Sequence, residues 1–192
     1  MRIRYNAPVT LTFALISSLV LIADQVLGAG LIPAIFTVPP KQHFSFASFP
    51  DWIRLFTHVA GHANWNHLIG NFAFILLLGP ILEEKHGSMP LLVMMAITAL
   101  ITGLLNALFS SAALLGASGI VFMMILIVSF TNFRSGEIPL TFILIIALYV
   151  TKEVINFIKV DTNGIAEFAH IAGGICGGLF GFLKPGKRKQ QA

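Results

Sequence analysis

Along most of this chain, apolar residues run on without the alternation of a strand or the polar stripe of a surface helix. Six stretches read as helices that cross a bilayer: Val9 to Leu27, Trp65 to Leu82, Pro90 to Phe109, Leu114 to Phe130, Ile138 to Ile158 and Ile165 to Leu183. A hydrocarbon core of about 30 Å takes about 20 residues of helix, roughly the length of these runs. A membrane barrel would show short segments of strict alternation instead, so the pattern predicts an all-α membrane protein with six transmembrane helices. The connections are short except for 29–64, a long external loop by this reading. It carries Pro33, Pro39, Pro40 and Pro50, and its Phe36, Phe44, Phe46, Phe49 and Trp52 suit a segment lying partly in the membrane interface. A loop of this length in a compact protein is commonly functional, though aromatic anchoring alone would also account for it.

Composition agrees with the pattern. Only 10% of the 192 residues are charged and the mean hydropathy is +0.87, whereas a soluble domain carries about 25% charged residues. A water-coated globule is therefore excluded, and the length suits a single domain. Charge then sets the orientation. With six spans both termini share a side with Lys85, Arg134 and the tail Lys184, Lys187, Arg188 and Lys189; Lys41, Arg54, Lys152 and Lys159 face the other way. That bias predicts cytoplasmic termini and a basic cytoplasmic tail, 184–192, which meets anionic lipid rather than nucleic acid. Arg2 and Arg4 before an apolar run would suit a secretory signal, but the run is long and no small-x-small site closes it, so a retained helix is expected. Cys176 is the only cysteine, so no internal disulfide forms.

Polar groups inside a bilayer are costly, and each one asks for an explanation. His67 and Asn71 are four apart, on one helix face, and both can donate hydrogen bonds toward a common point. His58 and His62 share that spacing, but no glutamate, cysteine or further carboxylate completes a metal shell, so no metal is expected. The blander reading, that these two satisfy backbone groups, is preferred for them. Gly116-Ala117-Ser118-Gly119 puts a serine between glycines at the start of the fourth span, where free helix N–H groups can hold a developing oxyanion; such a serine is more commonly a packing residue. Gly173, Gly177 and Gly181 recur every four residues and make a groove for another helix, with His170 about one turn beyond it. If the fourth span packs there, His170 can take the Ser118 proton and return it to a leaving amine. Plain glycine-mediated packing fits the stripe equally well. By the predicted topology Ser118, His170, His67 and Asn71 all fall at one level, below the external surface.

These motifs, in this order, resemble the rhomboid family of intramembrane serine proteases. His62, His67 and Asn71 match its HxxxxHxxxN; Gly116, Ser118 and Gly119 its GxSG; Ala169, His170, Gly173 and Gly177 its AHxxGxxxG; Glu83 to Gly87 its ExxxG turn. The resemblance runs from about Trp52 to Gly181 and implies a six-span rhomboid-like bundle of the compact bacterial type. It implies an intramembrane serine endopeptidase without cofactor, with Ser118 as nucleophile and His170 as base. His67 and Asn71 would stabilise the oxyanion, and His62, Gly116, Gly119 and Gly173 would be structural near the site. The partners would be a transmembrane protein substrate and the lipid bilayer of a bacterial inner membrane; the oligomeric state stays open. Two departures stand out: Phe122 replaces a Tyr common in relatives, and Ile53 separates Trp52 from Arg54. The alternative is a non-catalytic rhomboid-like protein that binds transmembrane helices, although such relatives typically lack the Ser or the His.

Overall fold

The computed structural model describes residues 4–130 and 166–183, with single positions at 140, 143, 144, 147, 148 and 151; the side chains of 130, 166–170, 182 and 183 lie outside that description. The fifth predicted span, apart from those single positions, and the basic tail 184–192 also lie outside the described residues.

Helix α1 (Pro8–Gln25) begins with a proline, which has no N–H to leave unpaired in the first turn. Its next donors are capped from another helix. Glu83 of α4 (Trp65–His86) accepts from the N–H of Val9 at 2.9 Å, the N–H of Thr10 at 3.1 Å and the Thr10 hydroxyl at 2.9 Å. Ser88, the first residue of α5 (Ser88–Phe109), donates to the same carboxylate at 2.7 Å. A carboxylate at a helix N-terminus is favoured by the free N–H groups and the dipole there. The sequence pattern ends the second span at Leu82. The helix continues to His86 because Glu83 is buried with its oxygens occupied rather than expelled to the surface.

The long segment 29–64 is not all loop. It contains α2 (Leu31–Ile35), α3 (Phe49–Thr57) and a 3-10 turn, His58–Ala60. In α3 the apolar Phe49, Trp52, Ile53 and Phe56 share one exposed face at helical spacing, while Asp51 and Leu55 are buried. Arg54 pairs with Asp51 and donates through Nη2 to the Ala34 carbonyl at 2.7 Å, tying α3 to α2.

The fourth predicted span also shifts. Residues 114–117 are not helical: Leu114 exchanges both backbone hydrogen bonds with Val38 at 2.9 Å. The helix α6 (Ser118–Phe130) begins only at Ser118. Helix α7 (Ala166–Leu183) packs against it. The core lies where α1, α4, α5 and α6 meet, around Leu21, Phe72, Ile75, Leu91, Ile120 and Met124. Outward-facing Leu19, Leu77, Leu92, Ile171 and Ile175 are exposed and apolar, as a lipid-facing surface requires. Among the described residues α1, α4 and α5 are each long and apolar enough to cross a membrane, and shorter apolar helices accompany them.

Candidate active site

The site is assembled on the turn that leads into α6. Ala117 closes the first hydrogen bond of α6, accepting from Val121 N–H at 3.0 Å, so the N–H groups of the first turn have no partner within the helix. Ser118 stands at this terminus and is partly exposed, while Gly116, Ala117 and Gly119 are buried. Gly116 has φ +112°, a conformation that L side chains rarely adopt. It is also pressed against α4. A Cβ placed there would lie 2.6 Å from His67 Cε1, 2.7 Å from His67 Nε2 and 3.8 Å from Asn71 Nδ2. The imidazole and the amide, one turn apart on α4, therefore both sit against the turn that delivers Ser118.

Local sequence explains why α4 presents them. Asn64 is extended and caps the helix, its side chain accepting from His67 N–H at 2.9 Å. Asn71 is buried; its Nδ2 donates to the His67 carbonyl at 3.2 Å and keeps a second N–H. Behind His67 stands His62, fully buried, its ring 5.0 Å from that of His67 and 5.7 Å from that of Phe72. His62 Nδ1 faces the Ala60 carbonyl at 3.3 Å. Burial, then the neighbouring His67 charge, pushes the His62 pKa down to about 4, against a smaller upward pull from the Ala60 carbonyl. His62 is thus neutral near pH 7. His58 is likewise pushed down to about 4 by burial. Among the described residues no three His, Cys, Asp or Glu side chains are grouped as metal ligands would be.

The other side of Ser118 is a glycine seam. A Cβ on Gly173 would lie 2.2 Å from the Gly119 carbonyl oxygen, and one on Gly177 2.4 Å from that of Met123. Backbone meets backbone, which only glycine permits here. The two contacts advance together along both helices, so α6 and α7 run parallel. Residue 170, about one turn before Gly173, therefore belongs to the end of α7 where Ser118 lies. The side chain of His170 lies outside the described residues, as does that of Glu167. Phe122 faces α7, its Cδ1 3.9 Å from a Cβ built on Gly174.

The family model of the Rhomboid domain matches residues 50–186, well over half of the chain. The chain belongs to the rhomboid family. It is 26% identical over 176 residues to the rhomboid protease GlpG of Yersinia enterocolitica, covering 91% of this chain and 62% of that protein. It is 27% identical over 139 residues to the GlpG of Haemophilus influenzae, covering 71% of each. With Rhomboid-like protein 11, chloroplastic, of Arabidopsis thaliana it shares 27% over 143 residues, 73% of this chain and 47% of that one. This rhomboid thus spans about half to two thirds of the length of the first two proteins it matches, those from Arabidopsis and Yersinia.

In this rhomboid the structure brings His67 and Asn71 to Gly116 and His62 to His67, and it docks Gly173 on Gly119. Sequence reasoning passed over three further holds on the same turn. Asn106 Nδ2 donates to the Ala112 carbonyl at 3.2 Å, Val38 pairs with Leu114, and the His58 carbonyl accepts from Gly116 N–H at 2.9 Å. A readable signal existed for part of this: Thr98, Thr102, Asn106 and Ser110 repeat every four residues of an apolar run, and all four are buried.

Proposed function

We propose that this chain is an intramembrane serine endopeptidase, cutting peptide bonds in or near transmembrane helices of membrane-protein substrates. Ser118 Oγ attacks the scissile carbonyl while His170 takes its proton. The tetrahedral oxyanion is held by His67, the second N–H of Asn71 and the Ser118 backbone N–H; collapse expels the amine, which His170 protonates. Water then attacks the acyl-enzyme carbonyl while His170 takes its proton, and collapse releases the acid as His170 returns that proton to Ser118 Oγ. His62 keeps the His67 ring in place. The observation that carries the reading is the contact of His67 and Asn71 with Gly116, two residues before a partly exposed serine at a helix N-terminus. The parallel seam of Gly119 on Gly173 supports His170 as the base, residue 170 coming about one turn before Gly173 along α7. The names of the GlpG relatives support proteolysis.

The proposed frame is a single six-span domain in a bacterial inner membrane, with both termini and the basic tail 184–192 cytoplasmic and 29–64 outside. The substrate is a transmembrane protein reached through the bilayer. The test is cleavage of a model transmembrane substrate by purified protein in liposomes, comparing wild type with Ser118→Ala and His170→Ala. Cleavage by the wild type alone is expected. Equal cleavage by all three would remove the dyad. Binding of several transmembrane substrates without cleavage of any would point to the non-catalytic alternative.

A further inference from the structure

Thr102 lies about two thirds of the way along α5, 2% exposed. Its hydroxyl lies 2.9 Å from the Thr98 carbonyl and 3.0 Å from that of Ala99, the usual acceptors for a helical threonine. A third group comes from outside the helix: His58 Nε2, at 3.3 Å. His58 is 1% exposed, in the 3-10 turn after α3. Its Nδ1 faces the Arg54 carbonyl at 3.2 Å. A carbonyl can only accept, so Nδ1 carries the proton. Burial keeps the ring neutral at pH 7, which leaves a lone pair on Nε2, and the single Thr102 hydroxyl proton is shared between that lone pair and the Thr98 and Ala99 carbonyls. The ring is thus fixed at both nitrogens, by the last turn of α3 and by α5.

The main chain of the same residue reaches the site. The His58 carbonyl accepts from Gly116 N–H at 2.9 Å. Gly116 has no side chain to anchor it and sits at φ +112° beneath His67, two residues before Ser118. The Val38 pairing holds the chain at Leu114, and the next external hold is His58.

We propose that Thr102 and His58 are positioning residues: the Thr102 hydroxyl fixes the His58 ring, the His58 carbonyl fixes the Gly116 peptide, and together they set where Ser118 and His67 meet the reacting carbonyl. The inference rests on the reading of Ser118 as nucleophile. Both residues are buried, out of a substrate's reach, so their influence falls on turnover and not on substrate affinity. A misplacement of about 1 Å at reacting groups is enough to cost on the order of a hundredfold in rate.

The experiment uses the full chain in liposomes with a model transmembrane substrate, comparing wild type, Thr102→Val, Thr102→Ala, Thr102→Ser and Ser118→Ala. Thr102→Val and Thr102→Ala, two hydroxyl-free variants of different volume, are expected to lower kcat at least about tenfold with KM within about twofold. Thr102→Ser, which keeps the hydroxyl, is expected to stay within about threefold of wild type. Imidazole nitrogen NMR on the same samples is expected to show His58 as the neutral Nδ1–H form, with its Nε2 signal moved in the Val and Ala variants and unmoved in Ser. Wild-type kcat without the hydroxyl, equal loss in Ser and Val, a change confined to KM, or an unmoved Nε2 signal would each overturn the proposal. Wild type cleaving no faster than Ser118→Ala would sink the nucleophile reading instead, and this inference with it, whatever the NMR showed.

Discussion

The two ends of α4 hold polar groups in opposite ways. At the inner end by the proposed orientation, Glu83 accepts from Val9 N–H, Thr10 N–H, the Thr10 hydroxyl and the Ser88 hydroxyl. A carboxylate has about four acceptor sites, and these four donors fill them. At the outer end donors are in surplus among the described residues: Asn71 gives one N–H to the His67 carbonyl and keeps another, and the first-turn N–H groups of α6 lack helical partners. Burying polar groups is costly unless they are paired. A closed network repays that cost in structure. An open one with converging donors is suited to receive a negative charge that arises only during a reaction.

The largest effect should come from emptying the open end. His67→Ala and Asn71→Ala are each expected to lower kcat about 10²-fold, the usual result of removing one oxyanion donor, with a comparatively small change in thermal unfolding. Kinetics and unfolding measured on the same preparations decide it; loss of fold with normal turnover per folded molecule would reverse the comparison. Breaking the closed end should do the opposite. Glu83→Ala strands two N–H groups and two hydroxyls and is expected to cost about 3 kcal/mol or more of stability, while folded molecules turn over normally. A Glu83→Ala protein of wild-type stability would show that the network holds nothing.

Acid sharpens the contrast at the outer end. His58 and His62 are held near pKa 4 in the fold against 6.5 for a free histidine. Between those values the unfolded chain binds protons that the folded chain refuses, so stability falls as pH drops from about 6.5 and has lost this contribution by about 4. Unfolding midpoints across that range should decline, and His62→Gln, which cannot titrate, should flatten the slope. An identical slope in His62→Gln would mean that His62 is not buried neutral.

Continuous apolar runs made α1, α4 and α5 legible, because a membrane helix announces itself by length alone. The motif order made the family legible as well. What escaped depends on distant partners. Leu114-Leu115 reads as the start of a helix, yet pairing with Val38 draws the chain out and moves the helix start to Ser118. Helix α3 was hidden because Pro50 and mixed polarity look like loop, whereas Pro is at home in a first helical turn. The spacing of His67 and Asn71 showed that they share a face, but only the fold shows Gly116 under it. The hold on Gly116 by a backbone carbonyl has no sequence signature, since every residue carries that group.

The smallest effects test whether α4 divides as described, using two glycines of that helix. A Cβ on Gly79 would lie 2.6 Å from both Oγ1 and Cγ2 of Thr10. Those are the far ends of a side chain, which elsewhere would swing aside at little cost. Here Thr10 is bonded to Glu83 through both its N–H and its hydroxyl, so moving it opens the closed network. Gly79→Ala should therefore destabilise by about 1–3 kcal/mol, the range for overpacking a filled contact. At Gly70, one residue from Asn71, an added Cβ meets nothing within 4 Å. Gly70→Ala should leave cleavage unchanged and raise stability by up to about 1 kcal/mol, because alanine gives up less backbone freedom on entering a helix. Paired unfolding curves measure the difference. Equal behaviour of the two variants would mean that Thr10 yields freely, and the closed end of α4 would then be no tighter than the open one.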